Sequence, residues 1–495
     1  MSKFECPKRA PYRISAIRIS DLFRISSFGF RISVATGMRF LKLSRIHFVG
    51  IGGVGMSGLA ELLLSYPLTI SGCDAAGSET TRRLASLGIR VDLGHDPAHL
   101  DRADLLVITS AVGENNEEVR RARLRGIPVI RRAEMLAEIM RLKQGIAVAG
   151  THGKTTTTSM VGAILTEAGL DPTILVGGRA HYLGTNARLG KGEWLVAEAD
   201  EFDRSFLELT PVLAVVTNVE EDHLDCYHDL AEIMTAFTAF ANRVPFYGAV
   251  FVCLDDANAS DLLPRLSRRA VTYGESPQAS LRARDVALDA SGARFTVGGD
   301  EPGFAGEAFL PLPGRHNVKN ALAALAVARE LSIPFAVAAG ALAHFDGVAR
   351  RFETKGERKG VRVVDDYAHH PTEIAATLAA ARQVHPKSRI VALFQPHLYS
   401  RTRDFAREFG RALTGADVAL VTEIYPSREA PIPGISGASV VEAAASFGHR
   451  DARFLPKREQ IVPLLDTLLL PGDLLVTMGA GDVYRLGEEF LKEGR

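Results

Sequence analysis

The run Gly150-Thr151-His152-Gly153-Lys154-Thr155-Thr156 concentrates more reactive chemistry than any other part of the 495-residue chain. Ile146–Ala149 before it predicts a short buried strand, and Ser159–Leu165 after it predicts an apolar helix face. Glycines between a strand and a helix let backbone N–H groups converge on an anion. The helix N-terminus adds partial positive charge, and Lys154 adds a full one. A hydroxyl directly after the lysine, Thr155 or Thr156, can ligate Mg2+ beside the β- and γ-phosphates. The usual spacing would put a glycine at Val148, whereas the first one here is Gly150, so the loop is shortened. The stretch predicts a nucleoside triphosphate site.

Two acidic turns belong with it. Trp194–Ala197 reads as a strand delivering Glu198-Ala199-Asp200-Glu201, and Leu213–Thr217 reads as another delivering Asn218 through Asp225. Either turn alone reads equally well as a solvated loop. Together, each after a buried strand beside a phosphate loop, they suit magnesium, which takes few carboxylates and keeps waters and phosphate oxygens.

A second nucleotide signal lies upstream. Gly50, Gly52 and Gly55 satisfy GxGxxG, Gly53 adds another small residue, and Asp74 stands near the spacing of a ribose-binding acid. Alone this pattern favours a nicotinamide-dependent dehydrogenase, but Lys154, Glu198 and His223 would then have no role. A non-enzymatic nucleotide-binding regulator would have no need of the acids. What the glycines require is a diphosphate close to a helix N-terminus, and a nucleotide sugar meets that as well as NAD does. A ligase that uses ATP on a nucleotide-linked substrate accommodates both sites.

The elements that must position these residues alternate short apolar strands with helices, which implies parallel sheets with ligands at the strand C-termini. The expected fold is α/β, with three doubly wound domains at 38–141, 142–346 and 347–495: Rossmann-like, P-loop ATP-binding and again Rossmann-like. Residues 1–37 differ, repeating Arg-Ile-Ser at 13–15, 18–20, 24–26 and 31–33. They superficially resemble an organelle transit peptide. The plainer expectation is a disordered, non-native extension, with the functional start at Met38. Basic and acidic residues number 58 each, so no net field recommends nucleic acid or an anionic membrane. Cys6, Cys73, Cys226 and Cys253 are scattered without a CxxC pair, which argues against a disulfide framework or a zinc site and for a reducing compartment. No apolar run approaches the roughly 20 residues of a membrane span. A cytoplasmic monomer or homodimer is expected.

Gly150–Thr156, Glu198–Glu201, Asn218–His223 and Leu312-Pro313-Gly314-Arg315-His316-Asn317-Val318-Lys319-Asn320 resemble the motifs of the Mur ligase family, ATP-dependent amide ligases that build the peptidoglycan stem peptide. Gly50–Gly58, Asp365–Pro371, Phe394–His397, Ser400–Arg403 and Met478–Asp482 extend the resemblance from about Arg39 to the C-terminus. They point to the member type that joins L-alanine to UDP-N-acetylmuramate. The alternative is a recycling ligase that attaches a preformed tripeptide, whose first glycine loop usually differs.

The resemblance implies ATP and Mg2+, an acyl-phosphate intermediate, and a set of site residues. Lys154, Glu198 and His223 would be catalytic, with Thr155, Glu198 and His223 at metal positions. Gly150, Thr151, His152, Gly153, Lys154, Thr155, Thr156, Asn317, Asn320, Arg351 and Asp366 would bind ATP, with His316 beside the adenine. Gly50, Gly52, Gly53, Gly55, Asp74 and Asn186 would bind the UDP-sugar, and His369, His397 and Arg401 the amino acid. For Asn317 and Asn320 helix capping is an alternative. Many relatives carry a second arginine where this chain has Leu398. Several relatives also carry a lysine, carbamylated to ligate magnesium, some fifteen positions past the match to His223. No lysine occurs here between Gly192 and Val318, so a second metal position without a carbamate is expected.

Overall fold

The apolar runs assemble into three sheets that follow one another along the chain. The computed structural model describes residues 43–109, 111–427 and 429–492, so the expectation for residues 1–37 lies outside it. In the first sheet, strands β1 (Arg45–Val49), β2 (Thr69–Asp74), β3 (Arg90–Leu93), β4 (Leu105–Ile108) and β5 (Val129–Arg131) alternate with four helices. These are α1 (Val54–Leu63), α2 (Glu79–Ser86), α3 (Glu117–Leu124) and α4 (Arg132–Met140). Every pair is parallel, in the order β3-β2-β1-β4-β5. The winding reverses between β1 and β4, and the crevice beyond their C-terminal ends is where Gly50–Gly53 leads into α1.

The second sheet has ten strands. Its parallel centre contains β6 (Gln144–Ala149), β7 (Thr173–Ala180), β9 (Trp194–Glu198), β10 (Leu213–Val216), β11 (Ala249–Cys253) and β12 (Ala270–Gly274). One edge is the antiparallel strand β8 (Thr185–Arg188), which closes a hairpin with β7. At the other, β13 (Leu281–Asp289), β14 (Gly292–Gly299) and β15 (Gly306–Leu310) form an antiparallel meander. Its helices are α5 (Lys154–Glu167), α6 (Leu230–Ala241), the short α7 (Ala257–Ser260), α8 (Arg315–Glu330) and α9 (Phe335–Ala343). Helix α5 carries four consecutive threonines, which are indifferent helix formers. Thr155–Ser159 are nevertheless helical because the helix is buried against β7, β9, α8 and α9.

The third sheet comprises β16 (Glu353–Arg358), β17 (Val361–Asp366), β18 (Ile390–Phe394), β19 (Val418–Thr422), β20 (Ala452–Leu455) and β21 (Leu474–Met478). The order is β16-β17-β21-β18-β19-β20, parallel except for the β16 edge. Helices α10 (Pro371–Val384), α11 (Tyr399–Leu413), α12 (Gly437–Ser446), α13 (Ile461–Leu468) and α14 (Tyr484–Lys492) cover it. Among the described residues no helix is long and apolar enough to cross a membrane.

The sheets are joined in two different ways. One apolar core runs from the first sheet into the second, with Leu59, Met135 and Ile139 packed in the same cluster as Leu175, Phe206 and Phe240. The buried residues of the third sheet's own cores all lie between Val361 and Phe490. Its contacts with the second sheet are largely polar, among them His370 Nε2 at 3.2 Å from the Glu221 carbonyl and Thr372 Oγ1 donating to Glu220 at 2.6 Å.

Helix α11 lies close against α12. A Cβ at Gly410 would fall 2.5 Å from the Ala444 nitrogen and 2.6 Å from the Ala443 carbonyl carbon. Backbone atoms cannot yield as a side-chain tip can. Gly410→Ala is therefore expected to destabilise the third unit by about 1–3 kcal/mol, seen as a lower thermal midpoint. An unchanged midpoint would mean that the two helices have room to separate.

Candidate active site

Strand β6 ends at Ala149 and α5 begins at Lys154, so Gly150–Gly153 form the connecting loop. Gly153 adopts a left-handed φ of 80° at the helix N-cap. A Cβ at Gly150 would lie 1.9 Å from Thr217 Oγ1, so only glycine lets the end of β10 approach this closely. Thr217 Oγ1 donates to the His152 carbonyl at 2.6 Å, and the His152 N–H donates to Asn218 Oδ1 at 2.8 Å. The Glu220 N–H donates to Thr151 Oγ1 at 2.8 Å. The shortened loop is thus braced from outside by the second acidic turn.

Lys154 Nζ folds back on the loop, donating to the Gly150 carbonyl at 2.7 Å and to Glu201 Oε1 and Oε2 at 3.0 and 2.8 Å. Burial would lower its pKa, but Glu201, Asp200 and Glu198 outweigh burial and push it up to about 12. Glu198 accepts the Gly177 N–H at 2.6 Å and a hydrogen bond from Thr155, while burial raises its carboxyl. His223 Nε2 lies 3.7 Å from Glu201 Oε1 and 3.6 Å from Asp222 Oδ2, on a left-handed backbone with φ 54°. The structure therefore sets Lys154 and His223 on Glu201, an acid the sequence reading counted only as part of its turn, with Thr155 bonded to Glu198 on the other side of Lys154. Further along, α6 places Phe237 and Phe240 against Phe206 in the core.

A cleft between the second and third sheets is lined by His152, Gly153, Thr156, His316, Asn317, Asn320, Arg351 and Asp366. Asn320 lies against the loop, its Oδ1 2.5 Å from where a Gly153 Cβ would be. The capping alternative for the asparagines does not hold. The N-cap of α8 is Gly314, and Asn317 instead donates to the Pro313 carbonyl at 2.7 Å and accepts from Asn320 at 3.2 Å. Asp366 accepts the Phe352 and Ala368 N–H groups, both at 2.8 Å, and burial raises its pKa to about 6. Burial, with Arg351 nearby, lowers His316 to about 4 and keeps it neutral. His152 sits between Glu373 at 3.3 Å and Glu220 at 3.5 Å. Burial opposes its charge, but the two carboxylates prevail and raise it to about 9.

His369, His397 and Arg401 form a third group. The two histidine rings are 6.1 Å apart, and burial lowers His369 to about 3. Arg401, in the first turn of α11, is buried and grips Asp222 Oδ1 through Nε at 3.1 Å and Nη2 at 2.6 Å. Leu398 directly precedes α11 with φ 68°. The sequence reading missed Asp222 and Glu373 as partners. Glu373 was findable as the third residue of a helix opening on His370-Pro371, where a capping carboxylate belongs.

At the first glycine loop, Asp74 Oδ2 accepts the Gly52 N–H at 2.8 Å, so its carboxylate shapes the turn itself. Asn186 donates to the Val54 carbonyl and ties the β7–β8 hairpin to the start of α1. Arg132 presses on Gly55, and both line a second cleft with Gly177, Glu198 and Asp200. Arg132 was not anticipated as a site residue.

Three family descriptions match in succession: Mur ligase family, catalytic domain, over 45–144; Mur ligase middle domain over 148–328; and Mur ligase, glutamate ligase domain, over 350–481. The chain belongs to the Mur ligase family, whose members are ATP-dependent ligases. A UDP-N-acetylmuramate–L-alanine ligase of Geobacter sp. (strain M21) is 53% identical over 450 residues, 91% of this chain and 97% of that one. The ligase of the same name from Sorangium cellulosum is 52% identical, over 89% of this chain and 94% of its own. The crystal structure of a UDP-N-acetylmuramate-alanine ligase from Thermotoga maritima superposes with a TM-score of 0.76 at 31% identity, covering 90% of this chain and 98% of that one.

His152 gives the site a pH signature. Its ordinary value of 6.5 is raised to about 9 in the folded chain. The charged form therefore contributes stability in full below about pH 6.5, and that stability is lost as pH rises through about 9. The thermal midpoint of the wild type should exceed that of His152→Gln near neutrality, with the gap closing by about pH 10. A gap that stays constant with pH would exclude the imidazolium.

Proposed function

We infer that the chain joins L-alanine to UDP-N-acetylmuramate at the expense of ATP, through an acyl phosphate on the sugar carboxylate. The observation that carries this is where the two clefts meet. Glu198 lines the cleft below Gly55 and Arg132, yet it is hydrogen-bonded to Thr155 of the phosphate loop. A nucleotide sugar lying along the first glycine loop and a triphosphate on the second would bring carboxylate and γ-phosphate together there. The names borne by the similar full-length proteins support the same reading.

A carboxylate is a poor electrophile, and phosphorylation turns one of its oxygens into a leaving group. The lactyl carboxylate attacks the γ-phosphorus and ADP departs. The alanine amine then attacks the acyl carbon, and inorganic phosphate leaves from the tetrahedral intermediate. Two anions must meet in the first step, so fixed positive charge is needed. Lys154 supplies it and remains protonated throughout the physiological range. The ATP-side cleft opens between the phosphate loop and the first residues of the third unit. The oxygen donors of Thr155 and Glu198, with His223 behind Glu201, suit Mg2+, whose charge would further offset the anion–anion repulsion. Asn317, Asn320, Arg351 and Asp366 face the nucleotide side. Arg401, with His369 and His397, would receive the alanine carboxylate, for which it would have to share or exchange Asp222.

The deciding assay is phosphate release that requires ATP, Mg2+, UDP-N-acetylmuramate and free L-alanine together. Turnover with a preformed tripeptide in place of alanine would transfer the chain to the recycling reaction. Lys154→Met should lower kcat by at least about 10²-fold and also lower the thermal midpoint, because Glu201 loses its buried partner; near-normal turnover in the folded variant would show the loop to be misread. Arg401→Lys keeps the charge but loses the two-pronged grip, so KM for alanine should rise about tenfold with KM for ATP little changed. Equal rises in both would assign Arg401 to holding the third unit against Asp222 instead.

A further inference from the structure

The face of the first sheet opposite α1 and α4 holds a cluster that the ligase reaction does not use. His47 of β1, Cys73 of β2, His99 of the turn Pro97–Leu100 and Glu118 of α3 point one ligand atom each into a space where all four lie within 4.8 Å of one another. His47, Cys73 and Glu118 are fully buried. Around the Glu118 carboxylate, His99 Nδ1 lies at 2.7 Å and Cys73 Sγ at 3.1 Å. His95 closes the solvent side, with Nδ1 3.1 Å from Glu118 and 3.3 Å from Cys73 Sγ.

His47 is the telling member. Its Nδ1 lies 2.9 Å from Ser71 Oγ, while Nε2 is buried, has no hydrogen-bond partner and stops 3.8 Å from Glu118 Oε1. That distance is too long for a hydrogen bond. An imidazole whose outer nitrogen is anchored and whose inner nitrogen is aimed at a carboxylate and a thiol has the posture of a metal ligand.

We propose that His47, Cys73, His99 and Glu118 form a structural site for a zinc-class divalent cation. One sulfur, two nitrogens and one carboxylate oxygen match the tetrahedral preference of zinc, whereas magnesium and calcium select oxygen throughout. On binding, the Cys73 thiol releases its proton to solvent as the sulfur–metal bond forms. A thiolate, a carboxylate and a dication then sum to zero, so the occupied site carries no net buried charge. The site also touches function. The Cys73 carbonyl accepts the Gly50 and Ile51 N–H groups at 2.9 and 3.0 Å, so a metal on Cys73 would brace the turn offered to the nucleotide sugar.

The test uses the full chain without an added histidine tag, equilibrated with zinc and dialysed, and then measured for metal by mass spectrometry. About one zinc per chain is expected, with a lower thermal midpoint after chelation. Cobalt substitution should give a thiolate-to-cobalt charge-transfer band. That band should persist in a Cys6→Ser/Cys226→Ser/Cys253→Ser variant, whose only thiol is Cys73, and vanish in Cys73→Ser. The variant retaining Cys73 answers the question even if Cys73→Ser fails to fold. Background zinc with no cobalt band in the wild type would overturn the proposal. So would loss of the band in the variant that keeps Cys73, or its survival in a folded Cys73→Ser. Ligase activity is a separate readout, and neither result decides the other.

Discussion

The ion pair between Lys154 and Glu201 is the interaction on which the site depends. A buried ammonium without a partner would cost several kcal/mol, and removing one member of such a pair is strongly destabilising. Glu201 therefore does two things. It keeps Lys154 charged in a water-poor place, and it holds the amine against the loop carbonyls. His223 approaches the same carboxylate and Glu198 acts on the same ammonium, so both acidic turns are tied to where the lysine sits.

The joints between the sheets follow a related logic. The first and second sheets share an apolar core, which is costly to open and fixes the first glycine loop relative to the second. The third sheet meets the second through His152–Glu373, Thr372–Glu220 and Arg401–Asp222, pairs that water can replace. A polar joint suits a unit that must separate for ligands to enter and come together to keep water from an acyl phosphate.

Much of this was legible in the residues. Apolar runs such as Ile46–Val49, Leu213–Val216 and Asp473–Thr477 announce central parallel strands because both faces of such strands are buried. The antiparallel edges, Thr173–Arg188 and Leu281–Leu310, carry mixed patterns, since one face is wetter, and passed unnoticed. The loop lysine and the acids were readable because their chemistry is local. Asp222 and Glu373 were not, because their partners Arg401 and His152 lie far away in sequence. The cluster at His47 shows the same limit more sharply. Without a CxxC pair the spacing argued against zinc, and only the folding of β1, β2, a short turn and α3 brings the donors together.

The connection between the second and third units carries a consequence of its own. Within six residues, Gly347, Arg350 and Phe352 all adopt positive φ, at 88°, 60° and 51°. For a bulky residue such as Phe352 this is an uncommon backbone state, costing about 1–3 kcal/mol. It is held by the Phe352 N–H bond to Asp366, a residue of the nucleotide cleft. Every rotation of the third unit must be absorbed by this single covalent tether. The strained turn at Phe352 and the lining of the cleft are thus held by one carboxylate, so a change at Asp366 would be felt in the tether as well as in the cleft.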